Sequence, residues 1–139
     1  MIVLRNNRGF TLVELMLVVI IIGILVAMVA PRLTGRSEQA RIAAARAAIN
    51  AHLSTALDLF ELGVGRFPTT QEGLVALRAA PPGATGWKGP YLKKTVPLDP
   101  WGRKYVYRSP GQRNREDYDL FSYGPDGVEG GDDDVTNWQ

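Results

Sequence analysis

Twenty-one consecutive residues, Phe10 to Ala30, carry a single charge, Glu14. At about 1.5 Å of helical rise per residue this run covers roughly 30 Å, the thickness of a bilayer's hydrocarbon. A short basic head, Arg5 and Arg8, precedes it, followed by Gly9. A carboxylate inside such a run costs roughly 2.5–3.5 kcal/mol to insert at its centre, so it calls for a function and a partner. Cutting the chain after Gly9 would supply one. Phe10 would then carry a new ammonium group one helical turn before Glu14, and a neighbouring copy could present that ammonium to Glu14. The attraction is far stronger in a low-dielectric layer than in water. It also sets a register, because the copies must be staggered by about one turn for the two groups to meet.

Two other readings of the run are open. An ordinary secretory signal is cut after its apolar core at small residues. Leu25-Val26-Ala27 and Met28-Val29-Ala30 mimic such sites, but Pro31 follows the second, and the run exceeds a usual apolar core. An uncleaved anchor that merely tolerates Glu14 near the interface is the other. Flanking charge does not orient the segment: Arg5 and Arg8 on one side face Arg32, Arg36 and Arg41 on the other.

Gly9-Phe10-Thr11-Leu12-Val13-Glu14, placed before a long apolar helix, resembles the class III signal of type IV pilins and pseudopilins. That family's pattern is Gly, then Phe, then Glu at the fifth mature position, and Gly9, Phe10 and Glu14 match it. The resemblance implies cleavage between Gly9 and Phe10 by a membrane prepilin peptidase, N-methylation of Phe10, and a cytoplasmic N-terminus. It divides the chain into a leader (1–9), a transmembrane and assembly helix (10–30) and a periplasmic domain (31–139).

The remaining 109 residues suffice for one small domain. The absence of cysteine excludes disulfides and thiolate metal sites. One histidine and no His/Asp/Ser clustering leave little material for nucleophilic catalysis, and no enzymatic activity is expected. A net charge of +2 with scattered basic residues gives no footprint for nucleic acid.

Within the domain, residues 32–62 read as a continuing helix. Ile42, Ile49, Leu53, Ala56, Leu57 and Phe60 form an apolar face, with Asn50, Ser54, Asp58 and Glu61 on a polar stripe beside it. Gly23 and Pro31 interrupt the helix upstream, and Pro31 is expected to end or kink it. Gly63 and Gly65 are expected to stop it. Loops and a small sheet fill 63–139. Thr69-x-x-Glu72 is a capping box opening a second, short helix with Leu74 and Leu77 inward, ended by Pro81-Pro82. His52 is expected at a partly buried edge. Pro97-Leu98-Asp99-Pro100-Trp101-Gly102 is turn-dense, with Trp101 plugging the core. Lys104–Arg108 and Tyr118–Ser122 read as paired strands around a polar turn, with a third short strand near the end. The fold class expected is α+β, a long N-terminal helix carrying a short second helix and a small antiparallel sheet.

Five carboxylates lie between Asp126 and Asp134, separated by glycines. Hard oxygen donors of this kind suit Ca²⁺, which takes six to eight of them. The spacing is not that of an EF-hand, so composition alone leaves a solvated acidic loop equally open. The resemblance bears on this choice. Phe67-Pro68-Thr69-Thr70-Gln71-Glu72-Gly73-Leu74, Asp99-Pro100-Trp101-Gly102, Leu120-Phe121-Ser122-Tyr123-Gly124-Pro125-Asp126-Gly127 and Asp133-Asp134 before Asn137-Trp138 are similar to the major pseudopilin family of type II secretion systems. That family implies one structural Ca²⁺, held by Asp126, Asp133 and Asp134 with the backbone carbonyls of Tyr123, Val128 and Gly131. Glu129 and Asp132 would be bystanders. Tyr123 stands where the family commonly has Leu, which leaves a carbonyl ligand unaffected.

The resemblance further implies a non-enzymatic building block of a helical homopolymer. Its partners would be further copies of itself, minor pseudopilins, an inner-membrane assembly platform, the prepilin peptidase and membrane lipid, with no nucleic acid. Growth of the fibre would push folded exoproteins through the outer membrane. A type IV pilin or a DNA-uptake pseudopilin is the nearest alternative, although major pilins usually close a C-terminal loop with a disulfide that this chain cannot form.

Overall fold

The computed structural model describes residues 9–138, with side chains throughout except at 29–34. The first helix, α1, spans Leu12–Ala47. Pro31 does not terminate it, contrary to one sequence expectation; the leader residues before Gly9 lie outside the described residues. By its internal contacts the chain divides into two units, one ending at Ser37 and one beginning at Glu38.

In the first unit, α1 exposes apolar side chains on every face. From Leu12 to Met28 the large hydrophobic residues stay between 44% and 75% exposed. A helix apolar all round is stable only where something apolar surrounds it, either lipid or other helices. Among the described residues, no helix is long and apolar enough to cross a membrane. The described side chains of the run stop at Met28, short of the full stretch that the sequence carries to Ala30.

In the second unit, a wide π-turn, Ala48–Leu53, follows α1 and leads into α2, Ser54–Val64. The Ser54 amide donates to the Ile49 carbonyl five residues back. The sequence pattern explains the widening. Ala45, Ile49, Leu53 and Leu57 are four apart, all 0% exposed. In an ideal α-helix a four-residue step overshoots a turn of 3.6, so three such steps in succession would drift off the core. A wider turn brings them back. Gly65, left-handed at φ 82°, caps α2, and its amide donates to the Glu61 carbonyl at 2.7 Å. Gly63 lies inside the helix rather than stopping it. His52 is exposed.

The expected second helix is reduced to a single 3₁₀ turn, Leu74–Leu77. The capping box forms as expected: the Thr69 amide donates to Glu72 at 2.8 Å, and the Glu72 amide to Thr69 Oγ1 at 3.2 Å. Gly73, at φ 59°, breaks the helical path directly after it, so the box closes a turn rather than starting an α-helix. Leu74 and Leu77 still face inward.

Three short strands complete the domain: β1, Val106–Arg108; β2, Asp119–Ser122; β3, Val135–Thr136. They pair antiparallel in chain order, with Tyr107 opposite Leu120 and Ser122 opposite Val135. The first two are shorter than expected, since Lys104 makes only an isolated bridge to Leu98 and Tyr118 lies outside the ladder. The central strand is buried along its whole length. The α2 face (Ala56, Leu57, Phe60), Leu74, Leu77, Tyr105, Tyr107, Tyr118, Leu120 and Val135 form one core.

Candidate functional site

The N-terminal head is built as a helix cap. The Glu14 amide donates to Thr11 Oγ1 at 3.2 Å, and the Thr11 amide donates back to Glu14 Oε2 at 3.4 Å. This reciprocal pair is a capping box, and it satisfies amides that a helix start leaves bare. Glu14 therefore closes the first turn of its own helix, a role that Thr11-x-x-Glu14 spells out in the same pattern as Thr69-x-x-Glu72 and that the sequence reading passed over. Gly9 and Phe10 precede α1 and are exposed, Phe10 at 78%.

The second candidate site is the loop between β2 and β3. Asp126 Oδ1 accepts the Val128 amide at 2.8 Å, while the Asp126 amide donates to Asp133 Oδ2 at 3.2 Å. Gly124, at φ 63°, lies so close to the Asp133 backbone that no side chain could be added there. A Cβ on Gly131 would strike Asp133 Oδ1 and meet Asp126 Oδ2 at 3.5 Å, so these two carboxylates face each other across that glycine. Asp134 Oδ2 accepts the Gly130 amide at 2.8 Å; its Oδ1 is buried with no hydrogen-bond partner among the described residues. The Gly131 carbonyl accepts the Asp134 amide at 3.5 Å. Among the described residues, no three acidic or histidine side chains converge as they stand into a metal-holding group. The structure thus joins Asp126 to Asp133 and leaves Asp134 with a spare oxygen.

Glu129, expected to be a bystander, is committed elsewhere. Arg108 grips it with two parallel hydrogen bonds of 2.8 and 2.9 Å, which hold its carboxyl below the ordinary range.

Two acidic residues outside the loop carry structural duties that the sequence reading did not assign. Asp119 is buried and receives the amides of Gln112, Arg113 and Asn114 at 2.6, 2.9 and 2.9 Å. Burial pushes its pKa up, but the three amides outweigh it and keep the group below its usual value. Asp99 is also buried. Its Oδ1 accepts the Trp101 and Arg103 amides at 3.1 and 2.7 Å, and its Oδ2 accepts Ser122 Oγ at 2.6 Å. Arg103 lies 3.9 Å from Asp99 Oδ2 and donates through Nη2 to the Gly124 carbonyl, at the entrance of the acidic loop.

A capped apolar helix together with a small helix-and-sheet domain closed by an acidic loop defines a pilin-like subunit. Residues 4–30 match the prokaryotic N-terminal methylation motif, and residues 32–138 match the type II secretion system protein G family. The chain belongs to that protein G family. It is 45% identical to the type II secretion system core protein G of Pseudomonas aeruginosa, over 96% of each chain. It is also 45% identical to that of Escherichia coli K12, over 96% of this chain and 92% of the relative. The crystal structure of the major pseudopilin from the type 2 secretion system of enterohaemorrhagic Escherichia coli superposes with a TM-score of 0.66 at 35% identity. That match covers 76% of this chain and 89% of the other.

Proposed function

We propose that the chain is the major structural subunit of a type II secretion pseudopilus, a periplasmic fibre that helps drive folded exoproteins across the outer membrane. The observation that carries this reading is the pairing of an exposed Gly9-Phe10 bond with a helix apolar on all sides, in a chain belonging to the protein G family. Such a helix is stored in the inner membrane until processing, with the domain on the periplasmic side, and then passes into a bundle of like helices. Head-to-tail contacts of this kind do not close, and so they generate a filament. The role is structural rather than catalytic. Its partners are further copies, minor pseudopilins, the assembly platform and the prepilin peptidase.

Cleavage after Gly9 frees an ammonium on Phe10. In the fibre, that group meets the Glu14 carboxylate of a neighbour. The intact mass of membrane-extracted protein tests the processing step: loss of residues 1–9 with one added methyl supports it, and a product still beginning at Met1 overturns it.

One Ca²⁺ in the acidic loop is part of the same proposal. The donor chemistry suits the ion: Asp126 and Asp133 lie on either side of Gly131, and Asp134 has a buried oxygen without a partner among the described residues; the three would have to draw together around it. These three carboxylates, with the Tyr123, Val128 and Gly131 carbonyls, would hold the ion. When bound, it supplies positive charge that cancels carboxylate repulsion and fastens β2 to β3.

A further inference from the structure

Arg103 is placed where no feature of the sequence announced it. Its backbone amide donates to the buried Asp99 carboxylate at 2.7 Å. Its side chain crosses to the start of the acidic loop, where Nη2 donates to the Gly124 carbonyl. Nη1 lies against Gly127 so closely that a Cβ there would sit 2.7 Å away. Gly124 and Gly127, at φ 63° and 76°, are the two left-handed residues that bend the chain on either side of Pro125-Asp126. The guanidinium therefore spans the bend that presents Asp126.

Asp99 has little need of that charge. Three donors, the Trp101 and Arg103 amides and Ser122 Oγ, already satisfy it, and Arg103 Nε is buried 3.9 Å from Oδ2 without a hydrogen-bond partner among the described residues. The loop has the greater need. Asp126, Asp133 and Asp134 repel one another, while Arg108 is committed to Glu129. A planar fork with several donors can pin a carbonyl and fill the space beside a glycine at once, which a point charge cannot do.

We propose that Arg103 is a positioning residue that holds the Gly124–Gly127 bend closed before any metal arrives, so that a divalent cation binds a loop already shaped. This rests on the calcium reading above for its affinity arm alone. Two effects of the guanidinium compete: like-charge repulsion weakens cation binding, and pre-shaping strengthens it. Arg103 donates to a carbonyl that is not an expected ligand and packs on the bend rather than on the carboxylates, so pre-shaping prevails.

The test uses the full chain in detergent, as wild type, Arg103→Met and Arg103→Lys. In chelator, Arg103→Met speeds amide exchange at residues 124–134 by about tenfold while leaving Leu120 protected. In a calcium titration, it weakens binding several-fold. Arg103→Lys, which keeps the charge and loses the fork, follows Arg103→Met in both readouts, and it decides the matter alone if the methionine variant does not fold. Unchanged loop exchange in chelator, or calcium bound as tightly or more tightly by the variants, overturns the proposal. If wild type takes up no calcium, the calcium reading fails, and exchange in chelator still decides the role of Arg103.

Discussion

Trp101 donates its indole N–H to Glu38 Oε1 at 2.8 Å, joining residues 63 positions apart. Glu38 is the first residue of the second unit, and Trp101 packs on the core through its ring. The Asp99–Trp101 turn thereby fastens the start of the domain's share of α1. A hydrogen bond to a charged group contributes roughly 1.5–3 kcal/mol when well shielded. Glu38 is half-exposed, so about 1 kcal/mol is expected here. Trp101→Phe should cost at least that in urea unfolding. Glu38→Gln, which keeps an acceptor, should cost less.

The Arg66–Glu72 pair predicts a dependence on acid. Arg66 grips Glu72 with bonds of 2.7 and 2.8 Å, and with the Thr69 amide this holds the carboxyl at about 2 against an ordinary value of 4.5. A carboxyl depressed by folding stabilises the fold above its unfolded value, and the gain is lost as pH falls through the folded one. The stability difference between wild type and Glu72→Gln should therefore be full above pH 4.5 and shrink towards pH 2. Urea unfolding at a series of pH values measures it.

Core packing sets a contrast within α2. Phe60 is 0% exposed and packs edge-on against Tyr91, with ring centroids 5.9 Å apart, whereas Leu62 is 84% exposed. Phe60→Ala should cost about 3–5 kcal/mol. Leu62→Ala should stay within roughly 0.5 kcal/mol. Denaturant midpoints of the monomeric protein give both.

Asp126→Ala should lower the melting temperature in calcium and change it little in chelator. An equal loss under both conditions would speak against a metal in the loop.

Glu14→Ala should still insert and be processed, yet assemble poorly. Because Glu14 also caps α1 through Thr11, Thr11→Ala is the control: it weakens the cap while leaving the carboxylate. Normal fibre yield from Glu14→Ala would remove the pairing role, and equal defects in both variants would assign the effect to the cap.

Much of this architecture was legible because it follows short-range rules. The apolar face from Ile49 to Phe60, the Thr69–Glu72 box and the three-stranded sheet each rest on local periodicity or a spacing of three. The failures have two causes, a local breaker that the capping signal masked and a distant contact that overrode a local one. Gly73 cut a capped turn down to a single 3₁₀ turn, and Gly63 stayed helical with the Tyr91 hydroxyl and the Gly86 carbonyl packed against it. The acids of the C-terminal loop were visible as a cluster. That Asp99, Asp119 and Arg103 would serve backbone groups was not, because which amides reach a carboxylate depends on turns that composition does not encode.

The wide turn at Ala48–Leu53 has a consequence for chain length. Core positions 45, 49, 53, 57 and 60 are spaced four, four, four and three. Deleting exposed Ala51 would change this to four, three, four and three, the rhythm of an ordinary α-helix, so the shortened rod should fold with its greasy edge still in line. Deleting Asp58 instead would swing everything after it by about 100°. This one turn is a spare link, where the helix can lose a residue without moving its apolar edge out of line.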